Sequence, residues 1–365
     1  MKREIYLDAP NVGALEKKYL SRAVDSGYVS TIGPFVDEFE MAFAKCVQAP
    51  HATAVQSGTG ALHVALHELG IGKGDEVIVP ALTFVATINP ILYVGAKPVF
   101  ADVDPETWTI NPKDIEGLMT KKTKAVLPVH LYGNPCNMPA IMRVARRYDL
   151  AVIEDATESL GAFIAERQTG TWGDLGCFSF NGNKVITTGG GGMVVGNDAT
   201  RLKHIKFLVN QARDISRGYY HGELGFNYRM TNVEAALGIA QLRRLSQFTR
   251  KKKMFSDIYR KNLEALGGIQ FQKQYPTAQS SYWLNCLTVP NRSDVETLQS
   301  TLKSAGVQTR RVFMPASEFP YLKAYKRGAL PHSYDIYERG LCLPASTVNS
   351  EKDIHYVCQQ IKKVF

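Results

Sequence analysis

The run Ala52-Thr53-Ala54-Val55-Gln56-Ser57-Gly58-Thr59-Gly60-Ala61 reads as a short strand, a turn of small residues and the start of a helix that continues to residue 69. The same unit recurs downstream. Residues 76–79 form a strand followed by a helix over 84–93, and 98–101 form the next strand. Two more, 125–129 and 151–153, flank a helix over 138–148. Short apolar strands alternating with helices specify an α/β fold with a largely parallel sheet covered on both faces. In such sheets ligands bind beyond the carboxyl ends of the strands. Ser57, Phe84, His130 and Asp155 fall at or just past those ends, so the pattern converges them on one crevice.

Upstream, apolar spacing over 13–26 (Leu15, Tyr19, Leu20, Ala23, Val24) and over 35–43 gives two helices. Ser30-Thr31-Ile32-Gly33-Pro34 joins them, a turn whose hydroxyls could line a site or merely connect. Downstream come strands at 177–180 and 193–195, a helix over 199–210 and an irregular Tyr-, Gly- and Arg-rich stretch over 211–230, such as often forms a binding surface. A helix over 231–245, capped by Thr231 or Asn232, precedes a long helix over 246–266. A strand over 282–289 and helices over 293–304 and near 351–363 complete the chain. The expected organisation is a large unit, 1–245, and a smaller C-terminal α/β unit, 246–365.

Between two of those strands lies Ser179-Phe180-Asn181-Gly182-Asn183-Lys184, with four glycines at 189–192. A lysine among neutral groups is pushed toward its free amine and can form a Schiff base with a carbonyl; an ordinary turn with an exposed lysine fits these residues equally. Ser57-Gly58-Thr59 at a helix start offers free amides and hydroxyls, as an anion site or as a simple cap. Asp155 could pair with a protonated ring nitrogen, ligate a metal or cap the next helix. Phe84 could stack on a planar ring or pack in the core. A lysine, an acid, an aromatic face and a phosphate cradle together are what pyridoxal phosphate requires.

Composition excludes other classes. The 365 residues are 45% hydrophobic and 21% charged, as expected of a compact globular protein. A net charge of +9 could suggest nucleic acid, but the basic runs, Lys121-Lys122 with Lys124 and residues 250–253, have no interleaved aromatics and no helix-turn-helix accompanies them. The field remains compatible with phosphorylated substrates. Six scattered cysteines with no Cys-x-x-Cys pair argue against both a metal site and a disulfide framework. The charged N-terminus and the absence of an apolar run of about 18 residues lead to the expectation of a cytoplasmic protein without membrane attachment.

In order along the chain, Ser57-Gly58-Thr59-Gly60-Ala61-Leu62-His63, Gly74-Asp75-Glu76-Val77-Ile78-Val79-Pro80, Pro128-Val129-His130-Leu131-Tyr132-Gly133, Glu154-Asp155-Ala156, Ser179 to Lys184 and Gly225-Phe226-Asn227-Tyr228-Arg229-Met230 resemble the DegT/DnrJ/EryC1/StrS family of sugar aminotransferases. The resemblance implies the type I aspartate aminotransferase fold and pyridoxal 5'-phosphate as cofactor. It implies that Lys184 forms the Schiff base and moves protons, that Asp155 holds the ring nitrogen protonated and that Phe84 stacks on the ring. Gly58, Thr59 and Ser179 would hold the phosphate, with Asn227 reaching it from the neighbouring subunit of a homodimer with shared sites. Glu158, where many members carry Gln, would lie near the cofactor hydroxyl. Candidate substrate contacts are Thr31, His130 and Asn183. Arg229 could bind a glutamate carboxylate or make a structural ion pair. Arg310, Arg311, His332 and Tyr334 could meet the sugar or nucleotide, since ligand sites form between domains.

Some family members are dehydratases with histidine in place of the lysine; its presence here favours amino transfer. Residues 155–162 and 178–184 look most like the branch that moves an amine from L-glutamate to C4 of UDP-linked 4-keto-6-deoxy sugars for surface glycans. GDP-perosamine synthases are the near alternative, and a lysine-retaining dehydratase of the same family would share every motif.

Overall fold

The computed structural model describes residues 4–365. Two helices, α1 (Ala14–Asp25) and α2 (Pro34–Val47), precede the sheet. Then follow β1 (His51–Val55), α3 (Gly58–Glu68), β2 (Glu76–Pro80), α4 (Val85–Tyr93), β3 (Lys97–Ala101), α5 (Pro112–Leu118), β4 (Thr123–Val126), α6 (Met138–Arg147) and β5 (Ala151–Asp155). A small hairpin, β6 (Phe163–Ile164) and β7 (Arg167–Gln168), leads to β8 (Leu175–Ser179), β9 (Gly192–Gly196) and α7 (Ala199–Leu208). The stretch over 211–230 holds only the short pair β10 (Arg213–Asp214) and β11 (Tyr220–His221) and a 3-10 turn before α8 (Asn232–Arg243).

Three differences from the sequence reading have local causes. Helix α3 starts at Gly58 rather than residue 61, because Ser57 Oγ accepts the Gly60 N–H at 3.0 Å and caps it there. Strand β4 stops at Val126, short of residue 129: Pro128 has no N–H for the ladder, and a single bridge, Val129 to Asp155, carries the pairing onward. Helix α5 buries only Ile115 and has too few apolar repeats to show in the sequence; the Asn111 side chain caps it at the Lys113 N–H.

The seven strands lie in the order β1-β9-β8-β5-β4-β2-β3. Pairing is parallel from β8 through β3, while β9 is antiparallel to both β8 and β1. Every strand but β9 therefore points the same way. Their carboxyl ends, at Val55, Pro80, Ala101, Val126, Asp155 and Ser179, lie along one edge of the sheet. The β2 residues are all buried, as a strand covered on both faces must be.

Helix α9 (Leu245–Leu263) departs from α8 at Arg244 and leads to β12 (Gln270–Phe271), β13 (Ala278–Gln279), β14 (Asn285–Thr288), α10 (Arg292–Ser304), β15 (Arg310–Arg311), α11 (Pro331–Arg339), β16 (Gly340–Leu343) and α12 (Glu351–Ile361). Four of these strands form a second, antiparallel sheet, β12-β14-β16-β15, while β13 joins the β6–β7 hairpin. A separate cluster including Phe255, Tyr259, Leu287, Leu298 and Ile354 is its core. Ile5 belongs to that cluster too and bridges Val307, so the start of the chain packs on the later unit.

A polar latch ties Glu223, in the irregular stretch over 211–230, to the body. His204 on α7 meets Glu68 Oε2 at 2.6 Å through Nδ1 and Glu223 at 3.2 Å through Nε2. Burial alone would lower this imidazole, but its hydrogen bonds to Glu68 and Glu223 carry it above its ordinary 6.5. A group raised by folding stabilises fully below its unfolded value and loses that contribution as pH rises through the folded one. Hydrogen exchange of residues 213–224 is therefore expected to quicken as pH rises above 6.5, and His204→Gln to remove that dependence. Equal pH dependence in the variant, after correction for intrinsic exchange, would disprove the latch.

Candidate functional site

Parallel pairing of β5 with β8 sets Asp155 beside Cys177, two residues before the loop that carries Lys184. Both side chains open into a cavity of about 200 Å³ at the carboxyl edge of the large sheet. Gly58, Thr59, Phe84, Glu158 and Ser179 line the same cavity. The chain thus gathers into one place a lysine, two carboxyls, an exposed aromatic ring and the amino end of a helix.

That helix end is a cradle for an anion. The Gly60 and Ala61 N–H groups bond back to Ser57 and the backbone at Ser57 bridges Gly191, while the Thr59 N–H is a first-turn donor of the kind that binds anions at helix starts. A Cβ at Gly58 would stand 2.8 Å from Ser179 Cβ and 3.2 Å from its Oγ, so glycine keeps the cradle open beside that hydroxyl. The glycine run also closes against it. Gly190 and Gly191 line the cavity, but a Cβ at Gly192 would lie 2.6 Å from the Ser57 carbonyl and 2.8 Å from Gly58 N. Close passage of β9 past the cradle backbone is what requires glycine at 192.

Asp155 is 2% exposed. Its Oδ1 accepts the Thr157 N–H at 3.1 Å and its Oδ2 the Thr87 hydroxyl at 2.7 Å. Glu158 is likewise buried, and its Oε2 accepts the Tyr132 N–H at 2.8 Å while its Oε1 stands 3.7 Å from Lys184 Nζ. Burial pushes the Glu158 carboxyl up, with Lys184 and the Tyr132 N–H opposing. Burial also pulls the Lys184 ammonium down, and the Glu158 and Asp155 carboxylates partly restore it. The lysine is thereby held closer to its nucleophilic free amine than a surface lysine would be. Trp283, just before β14, closes over it: Lys184 Nζ lies 4.2 Å from the indole centroid, and Trp283 Nε1 donates to the Asn183 carbonyl at 2.6 Å.

The remaining expected contacts fall elsewhere. His130 is fully buried, with Nε2 3.0 Å from Glu154 and Nδ1 accepting the Cys136 N–H at 3.0 Å, so its ring serves the β4–β5 framework rather than a ligand. Asn183 directs its amide to Asp8, whose carboxylate also pairs with Arg310 at 3.3 Å. Tyr334 bonds Glu318 and Lys326, Arg311 bonds the Tyr337 and Glu338 carbonyls, and His332 is exposed with its backbone N–H on Asp102. Thr31, Asn227 and Arg229 are not among the residues lining their own chain's cavity. Asn227 is exposed, and Arg229 is half-buried, its guanidinium lowered by burial and then by Arg213. Thr83, Thr87, Thr157 and Asn181 line the cavity without having been singled out in the sequence. Thr157 follows Asp155 by two and Asn181 follows Ser179 by two, so their neighbours could have flagged them; Trp283 carried no such signal.

The donors present fit pyridoxal phosphate: a first-turn amide and a hydroxyl at the helix start for the phosphate, Phe84 and Val129 for a flat ring, a buried carboxyl and an amine. Residues 10–362 match the sequence profile described as the DegT/DnrJ/EryC1/StrS aminotransferase family. The chain is 40% identical over 357 residues to the GDP-perosamine synthase of Escherichia coli O157:H7, covering 98% of this chain and 97% of that protein. It is 38% identical over 359 residues to the GDP-perosamine synthase of Vibrio cholerae, covering 98% of each. Among solved structures, Spr1654 of Streptococcus pneumoniae in its PLP-form superposes with a TM-score of 0.94 at 25% identity, over 99% of this chain and 98% of that one.

Two outcomes follow from the geometry. Gly192→Ala is expected to destabilise the chain by about 1–3 kcal/mol, since only backbone can move aside; denaturant unfolding measures it, and a variant as stable as the parent would show that the strand yields freely. Glu158→Gln removes a charge that raises Lys184, so competitive amine labelling of Lys184 in cofactor-free protein should reach its midpoint at lower pH. A midpoint unmoved or raised would mean that Glu158 does not govern this lysine.

Proposed function

From the premise that the chain belongs to the DegT/DnrJ/EryC1/StrS aminotransferase family and is a pyridoxal-phosphate-dependent aminotransferase of nucleotide sugars, we propose that it moves an amine from L-glutamate to C4 of a GDP-linked 4-keto-6-deoxy sugar. The observation that carries amino transfer is the single cavity in which Lys184, Asp155 and the Gly58–Thr59 cradle meet. The two GDP-perosamine synthases similar to the chain end to end support the GDP-linked substrate. The likeness of residues 155–162 and 178–184 to C4 aminotransferases of UDP-linked sugars supports a second reading, with UDP as the nucleotide.

When bound, pyridoxal phosphate supplies an electron sink that lets an amine leave one carbon and join another. The protein's own groups supply the rest. Gly58, Thr59 and Ser179 would hold the phosphate. Phe84 would offer its face to the ring and Asp155 its carboxylate to the ring nitrogen. Lys184 would take a proton from the carbon that loses the amine and deliver one to the carbon that gains it, and Glu158 would tune how readily it does so. Trp283 keeps water from the amine, which strengthens each of these electrostatic effects.

We place Asn227 and Arg229 at the cavity of a second copy: both lie outside their own, and the exposed Phe84, Tyr93 and Leu224 are available to an interface. His130 is not proposed as a substrate contact. A cytoplasmic site of action suits a nucleotide-sugar substrate.

Purified protein incubated with glutamate, cofactor and GDP-, UDP- or dTDP-linked 4-keto-6-deoxy sugars, with products read by mass spectrometry and NMR, tests the proposal. A 4-amino sugar is expected from the GDP substrate at a kcat/KM at least about 10-fold above the others, a difference of ~1.4 kcal/mol in transition-state binding. Preference for the UDP sugar would move the assignment to the second reading, and no amine gain from any of them would end both.

A further inference from the structure

Thr83, just before the N-cap Phe84, and Thr87, in the first turn of α4, lie on either side of Phe84. Both are almost wholly buried, at 1% and 2% exposure, and both line the cavity. Their hydroxyls are 2.8 Å apart, and Thr87 Oγ1 is 2.7 Å from Asp155 Oδ2. A carboxylate only accepts, so Thr87 must spend its one proton on Asp155. Thr87 then has only lone pairs for Thr83, and Thr83 must be the donor in that contact. The order is fixed: Thr83 donates to Thr87, and Thr87 donates to Asp155. On the other oxygen the Thr157 N–H is also a donor. Asp155 is thus clamped in a plane by two donors from different elements, leaving its remaining lone pairs to the cavity.

We propose that Thr87, backed by Thr83, is the positioning residue that orients the Asp155 carboxylate toward the ring nitrogen of the cofactor. The inference rests on the pyridoxal phosphate assignment and is independent of which sugar the enzyme aminates. Phe84 and Thr87 belong to the same turn, so one short segment sets both the ring's stacking face and the carboxylate that meets its nitrogen. The other titratable groups acting on this region are Lys184 and Glu158 on the cavity side, Cys177 on β8, and Cys136 and Glu154 behind the strand, with Glu154 occupied by His130 and by the Gly170, Trp172 and Gly173 N–H groups. None of these hydrogen-bonds the Asp155 carboxyl, whose only other donor among the described residues is the Thr157 N–H on Oδ1.

The test compares the parent with Thr87→Val, Thr87→Ser and Thr83→Val. Two quantities are read: the Kd for pyridoxal phosphate by equilibrium dialysis, and ring-nitrogen protonation by 15N NMR of cofactor labelled at that atom. Thr87→Val is expected to weaken binding about 10-fold and to shift the 15N signal toward the unprotonated ring at a given pH, on the order of one lost charge-assisted hydrogen bond. Thr87→Ser should match the parent, and Thr83→Val should move both readouts the same way by less. Thermal unfolding of the cofactor-free proteins reports any general loss of structure, and Thr83→Val serves if Thr87→Val does not fold. A 15N signal unchanged in the valine variants, whether or not binding weakens, would reduce Thr87 to packing and overturn the proposal.

Discussion

Lys184, beneath the Trp283 indole, and Glu158, 3.7 Å from it, are two ionisable groups withdrawn from water together, and the rest of the site makes that tolerable. Each would pay heavily for burial alone. Their opposite shifts show burial acting on both, with the lysine lowered and the carboxyl raised. The sheet makes the arrangement possible. Because β9 alone runs against the other six strands, Ser57 at the end of β1, Asp155 at the end of β5 and Ser179 at the end of β8 come to the same edge. The segment before β14 then supplies the cover. Trp283 is held by Lys252, whose Nζ donates to the Trp283 and Ala345 carbonyls at 3.0 and 2.8 Å.

Much of the frame could be read from the sequence because its physics is local. Strands of four or five apolar residues between helices show themselves by composition, and the turn at Ser57 shows itself by capping chemistry. The antiparallel run of β9 was not legible, since a five-residue apolar strand carries no direction. Nor were α11, which buries only Ser333 and Ile336, or β15 and β16, short strands that owe their identity to pairing with segments distant in the chain.

The site divides along the same line. Adjacent acids, Glu154 and Asp155, face opposite sides of β5, and the period of a strand decides which one meets the cavity; the sequence alone does not say which. Glu154 faces away and is filled by four donors, taking the ring of His130 with it. That is why a histidine just past a strand end is structural here. Thr87 and Trp283 escaped notice for a different reason. A threonine in a first helical turn is commonplace, and Trp283 is brought to the lysine loop only by tertiary packing, its Nε1 bonding Asn183 at a separation of 100 residues.

Amino transfer at this site requires that Lys184, rather than another amine, meet the cofactor. Lys252 is its natural competitor: it is 4% exposed and pulled down to about 7 by burial, yet committed to two backbone carbonyls. Borohydride reduction of the protein loaded with pyridoxal phosphate, followed by peptide mapping in a mass spectrometer, separates the two. One phosphopyridoxyl group on Lys184 is the expected result; the group on Lys252, or spread over surface lysines with Lys184 unmodified, would contradict it.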